Sequence, residues 1–224
     1  MTARHLEYRP GRLADVFGVP SAPTALFWHG SQTCSRAAVR VPAQALAERG
    51  WGVVAPDWDP HGPDGGRRDL LSSVDFARDR AAGAPLVLIG WSLGGVAAAG
   101  LALHAAALGV EVARVICLGG AFMARDPISG GAVLDGVTLG VAPAPFHLFT
   151  GSADDVIPGY AATEFAAALE AMHWPVSIVE VQADHGSIAG ARYDAVHHRY
   201  EPADDPATRA VADDIAARID AMVS

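Results

Sequence analysis

The chain has 224 residues, of which 51% are hydrophobic and 18% charged, and its formal net charge is −9. This length suits one domain with a sizeable core, which we predict over residues 1–224. The acidic balance provides no basic surface for nucleic acid or an anionic membrane, and no apolar run approaches the roughly 20 residues of a transmembrane helix. The first residues lack the apolar stretch of a secretion signal, so we expect a cytoplasmic protein. The sequence leaves a homodimer open.

Short apolar runs alternate with helical patterns along the chain. Residues 6–17 form two β-like pieces joined by Pro-Gly, which predicts an antiparallel hairpin. Further strands are predicted at residues 24–28, 52–55, 86–89, 113–118, 145–150 and 175–181. Helices are predicted at residues 36–49, 67–82, 93–108, 159–172 and 206–223. The alternation predicts an α/β fold, with a mostly parallel sheet covered by helices on both faces.

The connection between the strand at 86–89 and the helix at 93–108 is the most informative stretch. It reads Gly90-Trp91-Ser92-Leu93-Gly94 and fits G-x-S-x-G, the nucleophile elbow. The glycines allow strand and helix to approach closely while Ser92 is held in a strained conformation with its hydroxyl pointing out of the sheet. A flexible loop with a capping serine is the alternative, but the flanking strand and helix are the context that the elbow requires.

A serine nucleophile needs partners elsewhere in the chain. Its hydroxyl is weakly nucleophilic at neutral pH and needs a base, usually histidine, which a carboxylate orients. The expected chain order is Ser, then Asp or Glu, then His. His185 follows the last predicted strand and is the best candidate for the base, and Asp154 follows the strand at 145–150. Asp155 could also reach, whereas Asp184 would point to the other side of an extended chain.

The other histidines after Ser92 fit the role of base less well. His104 lies in a predicted helix, His147 in a predicted strand and His173 at a helix end. His197 and His198 are an adjacent pair on a polar segment. The segment that carries the pair, residues 193–200, could border a cleft or a partner surface.

The oxyanion of a tetrahedral intermediate needs two backbone donors. The N–H of Leu93, at a helix N-terminus, is expected to be the first. The second normally comes from the loop after the first parallel strand, which here begins His29-Gly30-Ser31-Gln32. We expect the Ser31 N–H, with that of Gln32 as the alternative. His29 is expected to stabilise the loop rather than to transfer protons.

Neither a metal nor a cofactor is expected. The acidic and histidine side chains that could suggest a metal site show no H-x-H or H-x-x-x-H spacing: His29, Asp57, Asp59, His61 and His185. Two cysteines are too few for a disulfide framework, and Cys117 lies in an apolar run typical of a buried, inert thiol.

Over nearly its whole length the sequence resembles the α/β-hydrolase superfamily. The stretches that carry the resemblance are Trp28-His29-Gly30, Gly90-Trp91-Ser92-Leu93-Gly94-Gly95, Gly151-Ser152-Ala153-Asp154-Asp155-Val156-Ile157-Pro158 and Asp184-His185-Gly186. Two further stretches, Leu13-Ala14-Asp15-Val16-Phe17 and Val54-Ala55-Pro56-Asp57, look like compact, lid-less serine esterases related to dienelactone hydrolase and small carboxylesterases. Dienelactone hydrolases themselves have a cysteine where this chain has Ser92. The resemblance implies a single-domain α/β-hydrolase fold.

The substrate cleft is expected to be open and shallow. Residues 119–140, where many relatives insert a helical lid, are too few and too Gly-rich for a full cap domain. The residues expected to contact substrate are Trp28, Gly30, Trp91 and Phe122, with Trp58 and Met123 as further candidates. For each aromatic side chain the alternative is packing in the core.

The sequence therefore predicts a cofactor-free serine hydrolase that cleaves small carboxylic esters through an acyl-enzyme, with Ser92, His185 and Asp154 as the catalytic triad. Thioesters, amides including formamides, and cofactor-free perhydrolysis use the same triad and are alternatives. Epoxide and haloalkane hydrolases are disfavoured because they need a carboxylate at the position of Ser92. The alternative of a different class is a non-catalytic binding protein on the same fold.

Overall fold

The computed structural model describes residues 2–20, 23–135 and 143–223. In this part of the chain, eight strands form one sheet: β1 (Arg4–Arg9), β2 (Arg12–Phe17), β3 (Thr24–Trp28), β4 (Gly52–Pro56), β5 (Leu86–Trp91), β6 (Val112–Leu118), β7 (Phe146–Gly151) and β8 (Val176–Val181). Their order across the sheet is β1-β2-β4-β3-β5-β6-β7-β8. The β1–β2 and β2–β4 pairs are antiparallel, and the remaining neighbours are parallel.

The same ranges contain the α-helices that cover the sheet. They are α1 (Arg40–Glu48), α2 (Arg67–Ala81), α3 (Leu93–Leu103), α4 (Ala105–Leu108), α5 (Tyr160–Ala171) and α6 (Pro206–Val223). Short 3-10 helices occupy Arg36–Val39 and Ser187–Ala189. A separate antiparallel hairpin consists of β9 (Ala191–Asp194) and β10 (Arg199–Pro202).

The sheet separates two hydrophobic layers, because successive side chains of a strand point to opposite faces. In β3, Leu26 and Trp28 pack with α2, α3 and α5, whereas Ala25 and Phe27 pack with α1 and α6 on the other face. Strands β3 and β5 are buried along their whole length, as is typical of parallel strands covered on both sides. The predicted fold class is confirmed, including the N-terminal antiparallel hairpin.

The strands lie close to their predicted positions, but two helices differ. The helix predicted at 93–108 is divided at His104, where the backbone leaves helical geometry at φ −106° and ψ 9°. None of the residues of α4 is fully buried, and only Ala105 and Leu108 of this turn pack against the core from a partly exposed position. The helix predicted at 36–49 starts as a 3-10 turn and becomes α-helical at Arg40, with Pro42 in its first turn, where a missing N–H has no cost.

The region after β6 was predicted to be irregular. Residues 119–135 form turns and contain neither a helix nor a strand, while residues 136–140 of the predicted stretch lie outside the described residues. Within the described ranges, no helix has the length and apolar character needed to cross a bilayer.

Candidate active site

Ser92 lies in a sharp turn between β5 and α3. Its backbone adopts φ 55° and ψ −120°, a strained conformation for a residue with a side chain. Two glycines make this turn possible. A Cβ at Gly90 would lie 2.0 Å from the carbonyl oxygen of Gly94, and a Cβ at Gly94 would lie 2.4 Å from that of His29. The spacing of these glycines is therefore a steric requirement of the turn.

We expect Gly94→Ala to destabilise the protein by about 2–3 kcal/mol. The added methyl would meet the carbonyl oxygens of His29 and Trp28 at 2.4 and 2.5 Å, and backbone cannot move aside cheaply. This cost outweighs the gain of about 1 kcal/mol from helix propensity. Urea unfolding measures the difference. Gly159→Ala is the matched control, because Gly159 has φ −57° and no atom within 4 Å of the added methyl. Equal stabilities for the two variants would contradict the steric argument.

His185 and Asp154 form a hydrogen-bonded pair beyond the ends of β8 and β7. The distance from His185 Nδ1 to Asp154 Oδ2 is 2.9 Å, and both side chains are about 4% exposed. The other carboxylate oxygen accepts hydrogen bonds from the N–H groups of Val156 at 2.9 Å and Ile157 at 2.8 Å. An ionised carboxylate only accepts hydrogen bonds, so Nδ1 is the donor and Nε2 is the basic nitrogen of His185.

The environment of Asp154 favours its ionised form. Burial alone would raise the pKa of this carboxyl group, but the hydrogen bonds from His185 and from the Ile157 and Val156 N–H groups outweigh burial. The net pKa of Asp154 therefore lies below its usual range. A carboxylate that stays ionised can hold the imidazole in one orientation and stabilise a positive charge on it.

The end of β6 connects Ser92 to this pair. The Ser92 N–H donates to the Leu118 carbonyl at 2.9 Å, and the next residue is Gly119. A Cβ at Gly119 would lie 3.1 Å from Asp154 Oδ2 and 3.4 Å from His185 Nδ1. Ser92 is 8% exposed and His185 is 3% exposed. The three side chains thus lie at the carboxyl ends of β5, β7 and β8, at one edge of the sheet.

The loop after β3 passes directly beside Ser92. A Cβ at Gly30 would lie 3.2 Å from Ser92 Cβ, so the Ser31 amide is one residue from this contact. Leu93, which follows Ser92, is the first residue of α3. The predicted oxyanion donors, Ser31 and Leu93, therefore belong to the two backbone segments that adjoin Ser92.

His29 lies under this loop and makes three hydrogen bonds through its ring. Its Nδ1 lies 2.9 Å from the Gly30 carbonyl oxygen, and its Nε2 accepts from the N–H groups of Ser35 and Trp58, each at 3.2 Å. These partners require a neutral imidazole with the proton on Nδ1. Burial lowers the pKa of His29 to about 3. The expected role of His29 in stabilising the loop agrees with these contacts.

We expect His29 to make folding stability depend on acid pH. The unfolded chain protonates this residue near its ordinary pKa of about 6.5, but the folded protein does so only near 3. His29 therefore makes its full contribution to the free energy of unfolding above pH 6.5. This contribution decreases as the pH falls toward 3, by at most about 1.4 kcal/mol per pH unit. Urea unfolding from pH 7.5 to 4.5 measures this slope. His29→Gln should reduce it, whereas a His61→Gln control, at an exposed position, should retain it. An unchanged slope in His29→Gln would disprove the assignment.

Two of the residues predicted to contact substrate have buried side chains that are hydrogen-bonded within the protein. The Trp28 side chain is 0% exposed and donates from Nε1 to Ser73 Oγ at 3.0 Å, inside the layer between the sheet and α2. It shares the face of β3 with Leu26, so it cannot reach a cleft at the strand end. The Trp91 side chain is 2% exposed and donates to the His185 carbonyl oxygen at 2.8 Å. Trp91 therefore holds the His185 loop. Trp58 is also fully buried.

Phe122, in contrast, lines a cavity near the elbow. Its ring stacks on Phe165 with 4.0 Å between centroids, and the neighbouring Ala121 N–H donates to the Ser92 carbonyl at 3.2 Å. The cavity has a volume of about 220 Å³. Its walls are mostly apolar: Phe122, Met123, Ala132, Val133, Leu134, Tyr160, Ala161 and Phe165, with Glu164 among them. Contact between Phe122 and a substrate stays a prediction.

Tyr200 and Gln32 make side-chain contacts beside the candidate site that the sequence did not predict, although Gln32 was the alternative oxyanion donor and Tyr200 ends the segment 193–200 that could border a cleft. Tyr200 of β10 packs its ring edge-on against Trp91, with centroids 5.0 Å apart, and lies 5.8 Å from the His185 ring. Gln32 binds the backbone of the same hairpin. The repeated order Arg-Tyr-acid in Arg192-Tyr193-Asp194 and Arg199-Tyr200-Glu201 was the available signal for this hairpin.

A cluster of buried carboxylates and half-buried arginines joins the N-terminal hairpin to the loop after β3. Arg36 Nε donates to Asp15 at 2.7 Å, and the Arg36 N–H donates to Asp57 at 3.1 Å. Asp69 accepts from Arg9 and Arg12 in the same region. Among the described residues, no group of three or more His, Cys, Asp or Glu side chains is arranged to hold a metal ion.

This sheet order, with Ser92 in a strained turn after β5 and an aspartate and histidine after β7 and β8, defines the α/β-hydrolase fold. Solved structures of that fold are similar to the chain. Thermogutta terrifontis esterase 2, phosphoramylated by tabun, is 19% identical with a TM-score of 0.69, over 97% of this chain and 94% of that chain. MGS-M1, an α/β-hydrolase enzyme from a Medee basin deep-sea metagenome library, is 17% identical with a TM-score of 0.69, over 100% and 98%. Esterase B from Lactobacillus rhamnosis is 16% identical with a TM-score of 0.70, over 99% and 85%.

No protein-family model matches the chain, and a search of curated proteins found no match either. The similarity to solved structures shows that the chain has the α/β-hydrolase fold.

Proposed function

We propose that the protein is a serine hydrolase that cleaves small carboxylic esters through an acyl-enzyme, without a cofactor. The observation that carries the proposal is the 2.9 Å hydrogen bond between His185 Nδ1 and Asp154 Oδ2, at the strand edge where Ser92 occupies its strained turn. Nucleophile, base and orienting carboxylate are the three groups that acyl transfer needs.

The first half-reaction forms the acyl-enzyme. Ser92 Oγ attacks the ester carbonyl carbon while His185 Nε2 accepts the hydroxyl proton, and Asp154 stabilises the resulting imidazolium. The carbonyl oxygen becomes an oxyanion, to which the N–H groups of Leu93 and Ser31 donate; each such donor lowers the barrier by about 3 kcal/mol. The intermediate collapses, the carbon–oxygen bond to the alcohol breaks, and His185 returns the proton to the leaving alcohol.

The second half-reaction releases the acid. Water attacks the acyl carbon and gives a proton to His185, and the second tetrahedral intermediate breaks its bond to Ser92 Oγ, which recovers that proton. Gly30 allows the close approach of the oxyanion loop to Ser92, since a Cβ at that position would already lie 3.2 Å from Ser92 Cβ.

A second cavity, of about 540 Å³, is lined by His185 and by polar residues such as Asp184 and Arg192. An acyl chain fits better in the mostly apolar cavity beside Phe122, whose size favours a short acyl group or a small alcohol. Ligand pockets for drug-sized molecules measure about 300–1,000 Å³, and this cavity has about 220 Å³. Structures of Thermogutta terrifontis esterase 2 with propionate and with butyrate bound, and esterase B with a tributyrin phosphonate, have the same fold. We therefore propose that this chain also accepts short acyl groups.

The proposal is tested with p-nitrophenyl acetate, butyrate and octanoate, followed by inactivation with paraoxon and peptide mass spectrometry. We expect the acetate or butyrate ester to be hydrolysed faster than the octanoate, and the phosphoryl adduct to lie on Ser92. An adduct on a different residue, or no hydrolysis and no adduct, would overturn the proposal. Faster turnover of matched thioesters, anilides or formamides would assign the same site to a different substrate class.

A further inference from the structure

The β9–β10 hairpin is fixed at its base to the loop that carries His185. The Ala191 N–H donates to the Gly186 carbonyl at 2.9 Å, and the Ala203 N–H donates to the Gly190 carbonyl at 3.0 Å. Gly186 directly follows His185, so displacement of the hairpin would displace the histidine loop.

The hairpin also contacts the candidate base through Tyr200. The Tyr200 ring lies edge-on to Trp91, which in turn donates its indole N–H to the His185 carbonyl at 2.8 Å. A Cβ at Gly186 would lie 3.0 Å from the same tyrosine ring. The elbow, the histidine loop and the hairpin therefore pack on one another around Tyr200.

Gln32 connects this assembly to the oxyanion loop. Its Oε1 accepts from the Tyr200 N–H at 2.9 Å, and its Nε2 donates to the His198 carbonyl at 3.4 Å. The side-chain amide thus offers one acceptor to Tyr200 of β10 and one donor to His198 in the turn that precedes the strand. Gln32 directly follows Ser31, whose N–H is a proposed oxyanion donor.

We propose that Gln32 is a positioning residue for the hydrolysis: its amide fixes the distance between the oxyanion loop and the His185 loop by holding both to the β9–β10 hairpin. The inference rests on the proposed function. The oxyanion donor and the base act on the same tetrahedral carbon, so their separation has to stay constant, and a misplacement of about 1 Å can reduce the rate by about 100-fold.

The first test compares Gln32→Met with Gln44→Met. Methionine keeps the length of the side chain and removes both polar atoms, and Gln44 is a matched control on α1, where it donates to Glu48 at 3.0 Å. Rates are divided by the concentration of sites that paraoxon titrates, so unfolded protein does not contribute. We expect kcat for p-nitrophenyl acetate to fall about 10-fold in Gln32→Met with KM changed less than about 2-fold, and the Ki of an aryl trifluoromethyl ketone to rise in parallel. Gln44→Met should match the wild type.

The second test does not depend on activity. Hydrogen exchange of backbone amides should be faster in Gln32→Met than in Gln44→Met, both at residues 29–35 and at residues 186–202. A wild-type value of kcat per titrated site, or unchanged exchange in either segment, would overturn the inference. If the wild type hydrolyses no ester and binds no paraoxon, the proposed function fails, and exchange alone then decides whether Gln32 couples the two loops.

Discussion

Replacing Ser92 by alanine is expected to lower kcat for p-nitrophenyl acetate by about 10⁶-fold while the protein stays folded. The methyl group of alanine occupies the same turn at φ 55° with no more strain than serine, so the structural cost is small. What is lost is the hydroxyl that we propose as the nucleophile. Residual hydrolysis would come from water bound between the oxyanion donors and His185.

Ser177→Ala is a suitable control for this measurement, because Ser177 is an exposed serine of β8 that pairs with His147 at 2.8 Å. We expect this variant to keep the wild-type kcat. Steady-state rates and paraoxon titration of both variants should be measured on the same preparations. Retention of more than about one hundredth of the wild-type kcat in Ser92→Ala would exclude Ser92 as the nucleophile.

Asp154→Asn is expected to lower kcat by about 10⁴-fold. An asparagine amide at this position can donate to His185 Nδ1, and the imidazole would then carry its proton on Nε2, where it cannot accept the proton of Ser92. The variant also loses the negative charge that stabilises the imidazolium. Asp154 is hydrogen-bonded by two backbone N–H groups, which asparagine can retain through its carbonyl oxygen, so the loop should keep its shape.

The neighbouring Asp155 provides a matched control, because it is exposed and differs from Asp154 by one position. Asp155→Asn should retain wild-type turnover, and the opposite ranking of the two variants would reassign the carboxylate. Stability offers a second readout. The folded-state pKa of Asp154 is lowered, so ionisation of this group stabilises the protein above the ordinary aspartate pKa, and the effect is lost as the pH falls through the folded-state value. The stability difference between wild type and Asp154→Asn should therefore shrink in acid.

The sequence contains enough local information to predict the fold and the placement of Ser92, Asp154 and His185 at the carboxyl ends of their strands. Gly90 and Gly94 have no substitute at their positions, because a methyl group would overlap backbone carbonyls, and this makes the elbow recognisable. Asp154 and His185 each follow a strand of a parallel sheet, so their meeting at one edge follows from topology.

What could not be predicted depends on side-chain direction and on contacts between distant loops. Trp28 ends β3 and was expected in the cleft, but strand alternation turns it toward Ser73 on the α2 face. The β9–β10 hairpin consists of two four-residue polar strands, which give no apolar run to detect. Its register and its bonds to Gln32 depend on residues far apart in sequence, which a local pattern does not encode.

The parallel arrangement of β5, β6, β7 and β8 has a consequence for the kinetics of folding. Parallel neighbours are joined by long crossovers, so each pairing closes a large loop before its contacts stabilise it. Folds rich in such distant pairings form slowly. Ser92, Asp154 and His185 come together only when β5 through β8 have all paired. Recovery of ester hydrolysis after dilution from urea should therefore lag behind the recovery of helical circular dichroism, and its rate reports completion of the sheet.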